Sequence, residues 1–269
     1  MTLGGKAAGL LKLKVLAPVP PFVVFESEWI KGHVDNLEVA LEDVLQSAGL
    51  HPPFAVRSSA ADEDGALFAF AGMYETVLPV DWVSLELAVQ QVWQSDQADR
   101  VAAYRAHANL TATGGAGVSV VVQEVVDATT AGVIFTRAPW DGDILALEAV
   151  SGLGSSLVDG EATPERHAID RRSCRLLQYS PGRQFLARSA GGGTLRLTGR
   201  AVGARRLSTE SALELARLAL LVEKKWDPVA NGLDIEWCID HNERIFLLQC
   251  RPITTAPIGS TDRIDRTSA

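Results

Sequence analysis

The sequence predicts an α+β fold of two lobes. Segments typical of strands and segments typical of helices alternate irregularly along 269 residues, without tandem repeats. The composition is 47% hydrophobic and 22% charged, which is typical of a globular chain with a full core. One strongly apolar strand pattern, Val118–Val126, runs into a polar turn near Gln123–Asp127. We place the boundary between the lobes at this turn, with lobes over residues 1–125 and 126–256 and a flexible tail over 257–269.

The first lobe is predicted to contain both helices and strands. Gly4 and Gly5 precede a helical segment from Lys6 to Leu16, and Pro18 is the first of three prolines that end it. Branched and aromatic residues predict three strands, over residues 22–25, 54–58 and 74–80. Apolar residues at helical spacing predict a helix over residues 37–50 and, over residues 83–107, either one long helix or two that are broken near Ser95.

Strands predominate in the second lobe. They are predicted over residues 132–136 and 144–150 and, as short pieces, between residues 165 and 200. A helix is predicted to begin after Ser208, its N-cap, and to end at Lys224 and Lys225. Glu210 lies in its first turn. The last two strand patterns, Leu233–Ile239 and Arg244–Arg251, predict a hairpin.

Charge and cysteine usage argue against several classes of protein. There are 25 Lys and Arg against 33 Asp and Glu, a net charge of −8, so neither nucleic acid nor a membrane is an expected partner. Three lysines interrupt the first 14 residues, which therefore predict neither a secretory signal nor a membrane span. Three widely spaced cysteines form no CxxC pair, which predicts reduced thiols and a cytoplasmic protein.

Several common site motifs are absent from the sequence. The segment GGKAAG is not a Walker A loop, because Ala7 stands where Ser or Thr would bind magnesium. The glycines at 152 and 154 lack the third glycine of a dinucleotide fingerprint, since Leu157 occupies its position. Neither HExxH nor GxSxG occurs. General metalloprotease and serine-hydrolase functions therefore have no support.

Polar residues on three apolar strands are the remaining candidates for chemistry. Asp234 and Glu236 alternate on one strand, and Gln249 and Arg251 alternate on the next, so each pair shares a face. If the two strands form a hairpin, the four side chains can converge, and the two carboxylates with the amide oxygen of Gln249 suit Mg²⁺. Lys6 and Arg57 could then neutralise phosphate oxygens. The alternatives are an outward, solvated strand face for the two carboxylates and a structural ion pair for the arginine.

Seven segments, in this order, resemble the ATP-grasp nucleotide-binding domain of phosphoenolpyruvate synthase, pyruvate phosphate dikinase and rifampicin phosphotransferase. The resemblance extends from Gly4 to about Thr254, and the order of the segments makes a chance match improbable. It implies two α+β lobes with a nucleotide cleft between them. The segments are GGKAAGLLKL, PVPPFVVF, FAVRSSAADED, FAFAGMYETVLPV, VVVQEVVDATTAGVIFTRAPWDGD, LEAVSGLGSSLVDGEATPERHAID and DIEWCIDHNERIFLLQCRPIT.

The resemblance assigns Mg²⁺-ATP as the ligand and gives roles to residues of the first lobe. Lys6 and Arg57 are expected to bind the triphosphate. The loop Phe70–Thr76 is expected to cover the phosphates, with Gly72 allowing close backbone approach and Thr76 adding a hydroxyl. The segment Gln123–Val126 is expected to meet adenine, through Gln123, Glu124 and Val126.

In the second lobe the resemblance implies the metal site and the reacting end. Glu236 and Gln249 are expected to be Mg²⁺ ligands, with Asp234 as a helper. Arg251 is expected to be the cation at the transferring phosphoryl group, where phosphoryl transfer needs a fixed positive charge. Lys6, Arg57 and Arg251 are thus the predicted catalytic residues.

The chain departs from the family pattern at two points. Ser155 stands where the family usually has a glutamate that can hold the ribose hydroxyls, and no swivelling domain with a phosphorylatable histidine is evident. The expected function is therefore an ATP-dependent phosphotransferase module that phosphorylates a histidine on a separate swivelling-domain or substrate-domain partner. The alternatives are direct phosphorylation of a small molecule and a non-catalytic nucleotide-binding regulatory remnant.

Overall fold

A computed structural model describes residues 3–60, 76–95, 118–158, 160–226 and 229–254. The predicted lid residues 70–75 with Gly72, the second half of the predicted helix 83–107, and the tail 257–269 lie outside these ranges. Within them, the helices are α1 Gly5–Leu16, α2 Ser27–Gly32, α3 Leu37–Ser47, α4 Trp82–Trp93, α5 Ser155–Val158 and α6 Thr209–Lys225. The strands are β1 Phe22–Phe25, β2 Phe54–Ser59, β3 Thr76–Val80, β4 Ser119–Glu124, β5 Ala128–Phe135, β6 Ile144–Ser151, β7 Glu165–Asp170, β8 Leu176–Ser180, β9 Leu186–Arg188, β10 Thr194–Arg196, β11 Leu233–Asp240 and β12 Ile245–Pro252.

The first sheet has four antiparallel strands in the order β1-β4-β2-β3. Helices α3 and α4 cover one face of this sheet. Leu41 of α3 and Val89 of α4 lie in the same core as Val120 and Val122 of β4. The other face carries Val121, which packs against Ala7 and Leu10 of α1. Alternation along β4 therefore separates a closed core from a face that α1 covers in part.

The second sheet has six strands in the order β12-β11-β5-β6-β7-β8, all antiparallel. Leu233, Ile235 and Trp237 of β11 are fully buried in the core formed with α6. The residues between them, Asp234 and Glu236, lie on the opposite face because side chains alternate along a strand. Arg57 of the first sheet contacts Glu236 and Gln249 on this second face, and the space between the two sheets at this contact is called the crevice below.

Helix α1 joins the two sheets. At its start, the Gly5 amide donates to the Ala60 carbonyl (3.1 Å) and the Ala7 amide donates to Ser59 Oγ (3.0 Å). Along its length it packs on β12, where a Cβ at Gly9 would lie 2.5 Å from the Cys250 carbonyl oxygen. Glycine is required there because any side chain would separate the helix from the strand.

The structure confirms the α+β class, and its four-stranded and six-stranded sheets are consistent with the two lobes that the resemblance implies. The first predicted helix, the strands 22–25 and 54–58, the Ser208 cap and the C-terminal hairpin are found within a residue or two of their predicted bounds. The predicted helix 37–50 ends at Ser47, since Gly49 has a φ of +73°. Helix α2 was not predicted, and β5 begins four residues before its predicted start. The lobe boundary at 125/126 stays a prediction.

Among the described residues, no helix combines the length and the apolar character that crossing a membrane requires.

Candidate functional site

Arg57 reaches across the crevice from the first sheet to the second. Its Nη2 donates to Glu236 Oε2 (3.0 Å) on β11 and to Gln249 Oε1 (2.6 Å) on β12. Glu236 and Gln249 are directly paired across β11 and β12, so their side chains project side by side. Arg57 Nε is buried and has no hydrogen-bond partner in the described parts of the chain. One cation, one carboxylate and one amide therefore meet at one point, and the guanidinium retains a donor for a further oxygen ligand.

Asp234 and Arg251 form a second pair on the same two strands, two residues from Glu236 and Gln249. Arg251 Nε donates a hydrogen bond to Asp234 Oδ2 (3.0 Å), and Arg251 Nη2 lies 2.9 Å from the same oxygen. Burial raises the pKa of the Asp234 carboxyl, the Arg251 charge opposes this rise, and the neighbouring Glu236 charge adds to it. Each carboxylate on this face thus contacts one arginine, Asp234 through Oδ2 with Arg251 and Glu236 through Oε2 with Arg57.

Lys6 lies at the start of α1, beside the end of β2. Its Nζ donates to the Ser58 carbonyl oxygen (3.1 Å), and Ser58 follows Arg57 directly. The same strand thus positions both cations that the resemblance assigns to the triphosphate. Thr76 is paired with Arg57 across β2 and β3, so it shares the crevice face and is exposed there.

Residues 123–126, called the linker below, connect the two sheets and present both polar and apolar groups. Gln123 is 2% exposed, and its Nε2 has no hydrogen-bond partner among the described residues. The Glu124 carboxylate accepts from the His51 amide (2.7 Å), so this side chain points into the first lobe. The Glu124 and Val125 amides donate to the carbonyls of Pro21 and Pro53. A ligand here would meet backbone groups of the linker rather than the Glu124 carboxylate.

A small apolar cluster borders this linker on the crevice side of the second sheet. Val126 and Leu153 pack against Ala128, Ala131 and Cys238. Burial raises the pKa of the Cys238 thiol to about 12, and the Asp240 charge contributes. The cluster offers an uncharged surface of small side chains, which suits a flat aromatic ring beside hydrogen-bonding backbone.

Glu236 and Gln249 have side-chain oxygens of the kind that Mg²⁺ prefers. Glu236 Oε2 and Gln249 Oε1 both contact Arg57 Nη2, so these two oxygens already surround one positive group. Carboxylate and amide oxygens are suitable Mg²⁺ ligands, and phosphate oxygens and water usually complete the coordination. In the described ranges no cluster of three His, Cys, Asp or Glu side chains forms a metal site. The residues therefore fit a metal that a bound phosphate helps to hold.

Three further residues, Glu148, Arg166 and Trp140, lie beside the candidate site and are not among the site residues predicted from the sequence, where Trp140 was expected to serve packing. Glu148 and Arg166 form a 2.7 Å ion pair two and three strands away from β11, and Trp140 is 59% exposed beside them. A signal was present for Glu148, because it is a lone charge in the apolar strand Ile144–Ser151. Ser155 Oγ is buried without a hydrogen-bond partner in the described residues.

Comparison with known proteins supports the resemblance. Residues 24–268 match the family model of the pyruvate phosphate dikinase AMP/ATP-binding domain. The chain is 36% identical over 232 residues to the prodigiosin synthesizing transferase PigC of Serratia marcescens. The aligned region covers 81% of this chain and 24% of that protein.

Two further relatives give the same result. The phosphoenolpyruvate synthase of Aeropyrum pernix is 31% identical over 292 aligned positions, covering 93% of this chain and 33% of that protein. The rifampicin phosphotransferase of a Streptomyces species is 30% identical over 237 residues, covering 85% of this chain and 26% of that protein. The chain thus spans a quarter to a third of the length of these relatives, and it belongs to the pyruvate phosphate dikinase AMP/ATP-binding domain family.

Proposed function

We propose that this chain binds Mg²⁺-ATP in the crevice and transfers a phosphoryl group to a histidine on a separate swivelling-domain or substrate-domain partner. The observation that carries the proposal is the convergence of Arg57 with Glu236 and Gln249 across the crevice. A charged cluster from three strands of two sheets is costly unless it serves a ligand, because each charge loses part of its hydration. Relatives named as a phosphoenolpyruvate synthase and a rifampicin phosphotransferase support a phosphotransferase.

The cations have the task of neutralising phosphate charge. Arg57 Nε has no partner among the described residues, and Lys6 extends from the neighbouring helix end, so both side chains can donate to phosphate oxygens. Arg251, held in orientation by Asp234, supplies a fixed positive charge at the reacting end. Glu236 and Gln249 would hold Mg²⁺, which supplies further neutralisation of the phosphate oxygens when bound. Gln123 and the linker backbone would contact adenine beside the Val126 cluster.

The proposed compartment is the cytoplasm. The three cysteines, Cys174, Cys238 and Cys250, are thiols that form no disulfide. Reduced thiols are typical of that compartment, where glutathione opposes disulfide formation.

The nucleotide part of the proposal is tested by thermal unfolding with and without Mg²⁺-ATP. A ligand at 100 times its Kd stabilises the native state by about 2.7 kcal/mol. Glu236→Gln is expected to raise the Mg²⁺ concentration needed for half of this shift at least tenfold. The matched control is Glu86→Gln on α4, far from the crevice, which should leave the shift unchanged. Absence of any shift at millimolar Mg²⁺-ATP would contradict nucleotide binding.

The transfer part is tested by adding a histidine-bearing partner and measuring nucleotide turnover. Turnover that requires the partner supports the proposal, whereas turnover with a small molecule alone supports direct kinase action. Arg251→Ala is expected to abolish turnover and to retain ATP binding. Binding without turnover under every condition would favour a non-catalytic regulatory domain.

A further inference from the structure

A groove lies on the crevice face of the second sheet, beyond the residues proposed to bind Mg²⁺-ATP. Its floor is formed by two small side chains, Ala146 of β6 and Ala168 of β7. Its walls are Trp140 on one side and the ion-paired Glu148 and Arg166 on another. The cavity volume is about 100 Å³.

The registers of the sheet connect this groove to the candidate catalytic residues. One row of paired residues runs from Asp234 through Phe135 and Ala146 to Ala168. Paired residues on neighbouring strands share a face, and strands lie about 4.8 Å apart. The floor of the groove therefore begins about 10 Å from Asp234, and Phe135, which is partly exposed, lies between them.

A second row of paired residues runs parallel to the first. It passes from Gln249 and Glu236 through Val133 to Glu148 and Arg166. The crevice face is thus a continuous surface. A mainly apolar row leads to the groove from Asp234, and a mainly polar row leads to it from Gln249 and Glu236.

The groove lies beside the end of β5 that is farther from the linker between the sheets. Along β5, the apolar cluster at Ala128 and Ala131 adjoins the linker between the sheets, whereas Phe135 lies at the opposite end of the strand. A nucleotide with its ring at the linker would point its phosphates toward Phe135 and Asp234. From Phe135 the groove lies sideways across the sheet, over Ala146 and Ala168, so its occupant would lie beside the transferred group.

The size and composition of the groove favour a protein rather than a small molecule. Drug-sized ligands occupy pockets of about 300–1,000 Å³, whereas the volume here is that of one inserted side chain. Trp140 and Arg166 are each 59% exposed, and Trp and Arg are the residue types that dominate binding energy at protein interfaces. The alanine floor and the tryptophan wall select an apolar side chain as the anchor.

We propose that this groove docks the protein that carries the phosphoryl acceptor, by receiving one apolar side chain of that protein against Trp140 and Ala168. The inference rests on the proposed function, since the docked protein is the acceptor. Docking positions the acceptor histidine over Asp234 and Arg251 and takes no part in nucleotide binding.

The test uses site-specific photo-cross-linking in an extract of the native host. A photoreactive benzoylphenylalanine replaces Trp140 in the full chain, and the matched control carries it at Leu177, which is also 59% exposed but does not line the groove. Extracts are supplied in parallel with ATP labelled at the β- or the γ-phosphate. The expected result is a cross-link from position 140, absent from position 177, to a protein that takes up label from the wild-type chain.

Kinetics with that labelled protein provide the second measurement. Trp140→Ala is expected to raise the KM for the acceptor at least tenfold with kcat within twofold, and Leu177→Ala should change neither. Ala168→Met, which fills the groove from its floor and keeps the ring, should reproduce the KM effect. Unchanged KM values in both groove variants would overturn the proposal.

The outcomes separate the groove from the proposed function. A labelled acceptor that gives no cross-link from position 140 overturns the groove and leaves the phosphotransferase intact. A cross-link only to an unlabelled protein, or only to a second copy of this chain, also overturns docking of the acceptor. No labelled protein and no Mg²⁺-ATP thermal shift contradict the proposed function itself.

Discussion

Arg57 on β2 and Gln249 on β12 are joined by a 2.6 Å hydrogen bond, although 192 positions separate them in the chain. The same guanidinium nitrogen also donates to Glu236. A single side chain of the first lobe thereby connects two neighbouring strands of the second lobe. The two sheets are therefore held together by the same groups that are proposed to bind the nucleotide and its metal.

Replacing Arg57 by alanine is expected to lower the free energy of unfolding by about 1–3 kcal/mol. The change leaves the Glu236 carboxylate and the buried Gln249 amide without this donor, and an unsatisfied buried polar group costs about that amount. Urea unfolding measures the effect. The control is Arg172→Ala, whose partner Asp143 is 3.6 Å away and which is 84% exposed, so its loss should cost less than about 0.5 kcal/mol. Equal losses in the two variants would contradict a special role for the bridging arginine.

Replacing Gly9 by alanine is expected to destabilise the protein and weaken Mg²⁺-ATP binding. A Cβ at this position would lie 2.5 Å from the Cys250 carbonyl oxygen, so α1 must move away from β12. Because Lys6 is on the same helix, the shift would also displace its ammonium group. Thermal unfolding with and without nucleotide measures both effects.

Gly32→Ala is the matched control for this prediction. Gly32 is also a helical glycine, but apart from its chain neighbours and the backbone of its own helix, no described atom lies within 4 Å of the position that a Cβ would occupy there. Alanine is therefore expected to be neutral or stabilising by up to about 1 kcal/mol. If Gly9→Ala were as stable as Gly32→Ala, the close contact between α1 and β12 would be disproved.

The pH dependence of stability is expected to change in Asp234→Asn. Burial raises the pKa of Asp234 in the folded state, so between its unfolded and folded pKa values the native protein binds more protons than the unfolded chain. Stability contributed by this group is therefore present at low pH and is lost as pH rises through the folded pKa. The free energy of unfolding of the wild type minus that of Asp234→Asn should be larger at pH 4 than at pH 7, in urea titrations.

Asp143→Asn controls for the loss of one carboxylate charge at an exposed position, because Asp143 is 71% exposed. A wild-type minus Asp234→Asn difference that grows toward pH 7 would have the wrong sign for a carboxyl with a raised pKa.

The thiols are expected to differ in reactivity. Burial raises the pKa of Cys238 to about 12, so at pH 8 only about one molecule in ten thousand carries its thiolate, and the side chain is 2% exposed. Cys174 is partly exposed. N-ethylmaleimide at pH 8, followed by mass spectrometry of the peptides, should modify Cys174 first and Cys238 only after unfolding. Faster modification of Cys238 in the native protein would contradict its burial in the apolar cluster beside the linker.

Much of the local structure could be predicted from the sequence because it depends on near neighbours in the chain. Ser208 caps α6 by accepting a hydrogen bond from the Ser211 amide, an interaction within four residues. The alternation of Asp234 and Glu236 with buried residues predicts that they share a face, and the C-terminal hairpin is paired in the expected way. Helix α2 was missed because its six residues, Ser27–Gly32, are too few to show a helical period.

The sequence by itself determined the α+β class, the order of the elements and the family, since each follows from patterns within continuous segments. Only the tertiary structure decided that Arg57 meets Glu236 and Gln249, that Asp234 is occupied by Arg251, and that Trp140 stands over two alanines at the end of the crevice. These contacts depend on how two sheets and α1 pack together. Packing of that kind depends on the summed shape of many distant side chains, and no local pattern encodes it.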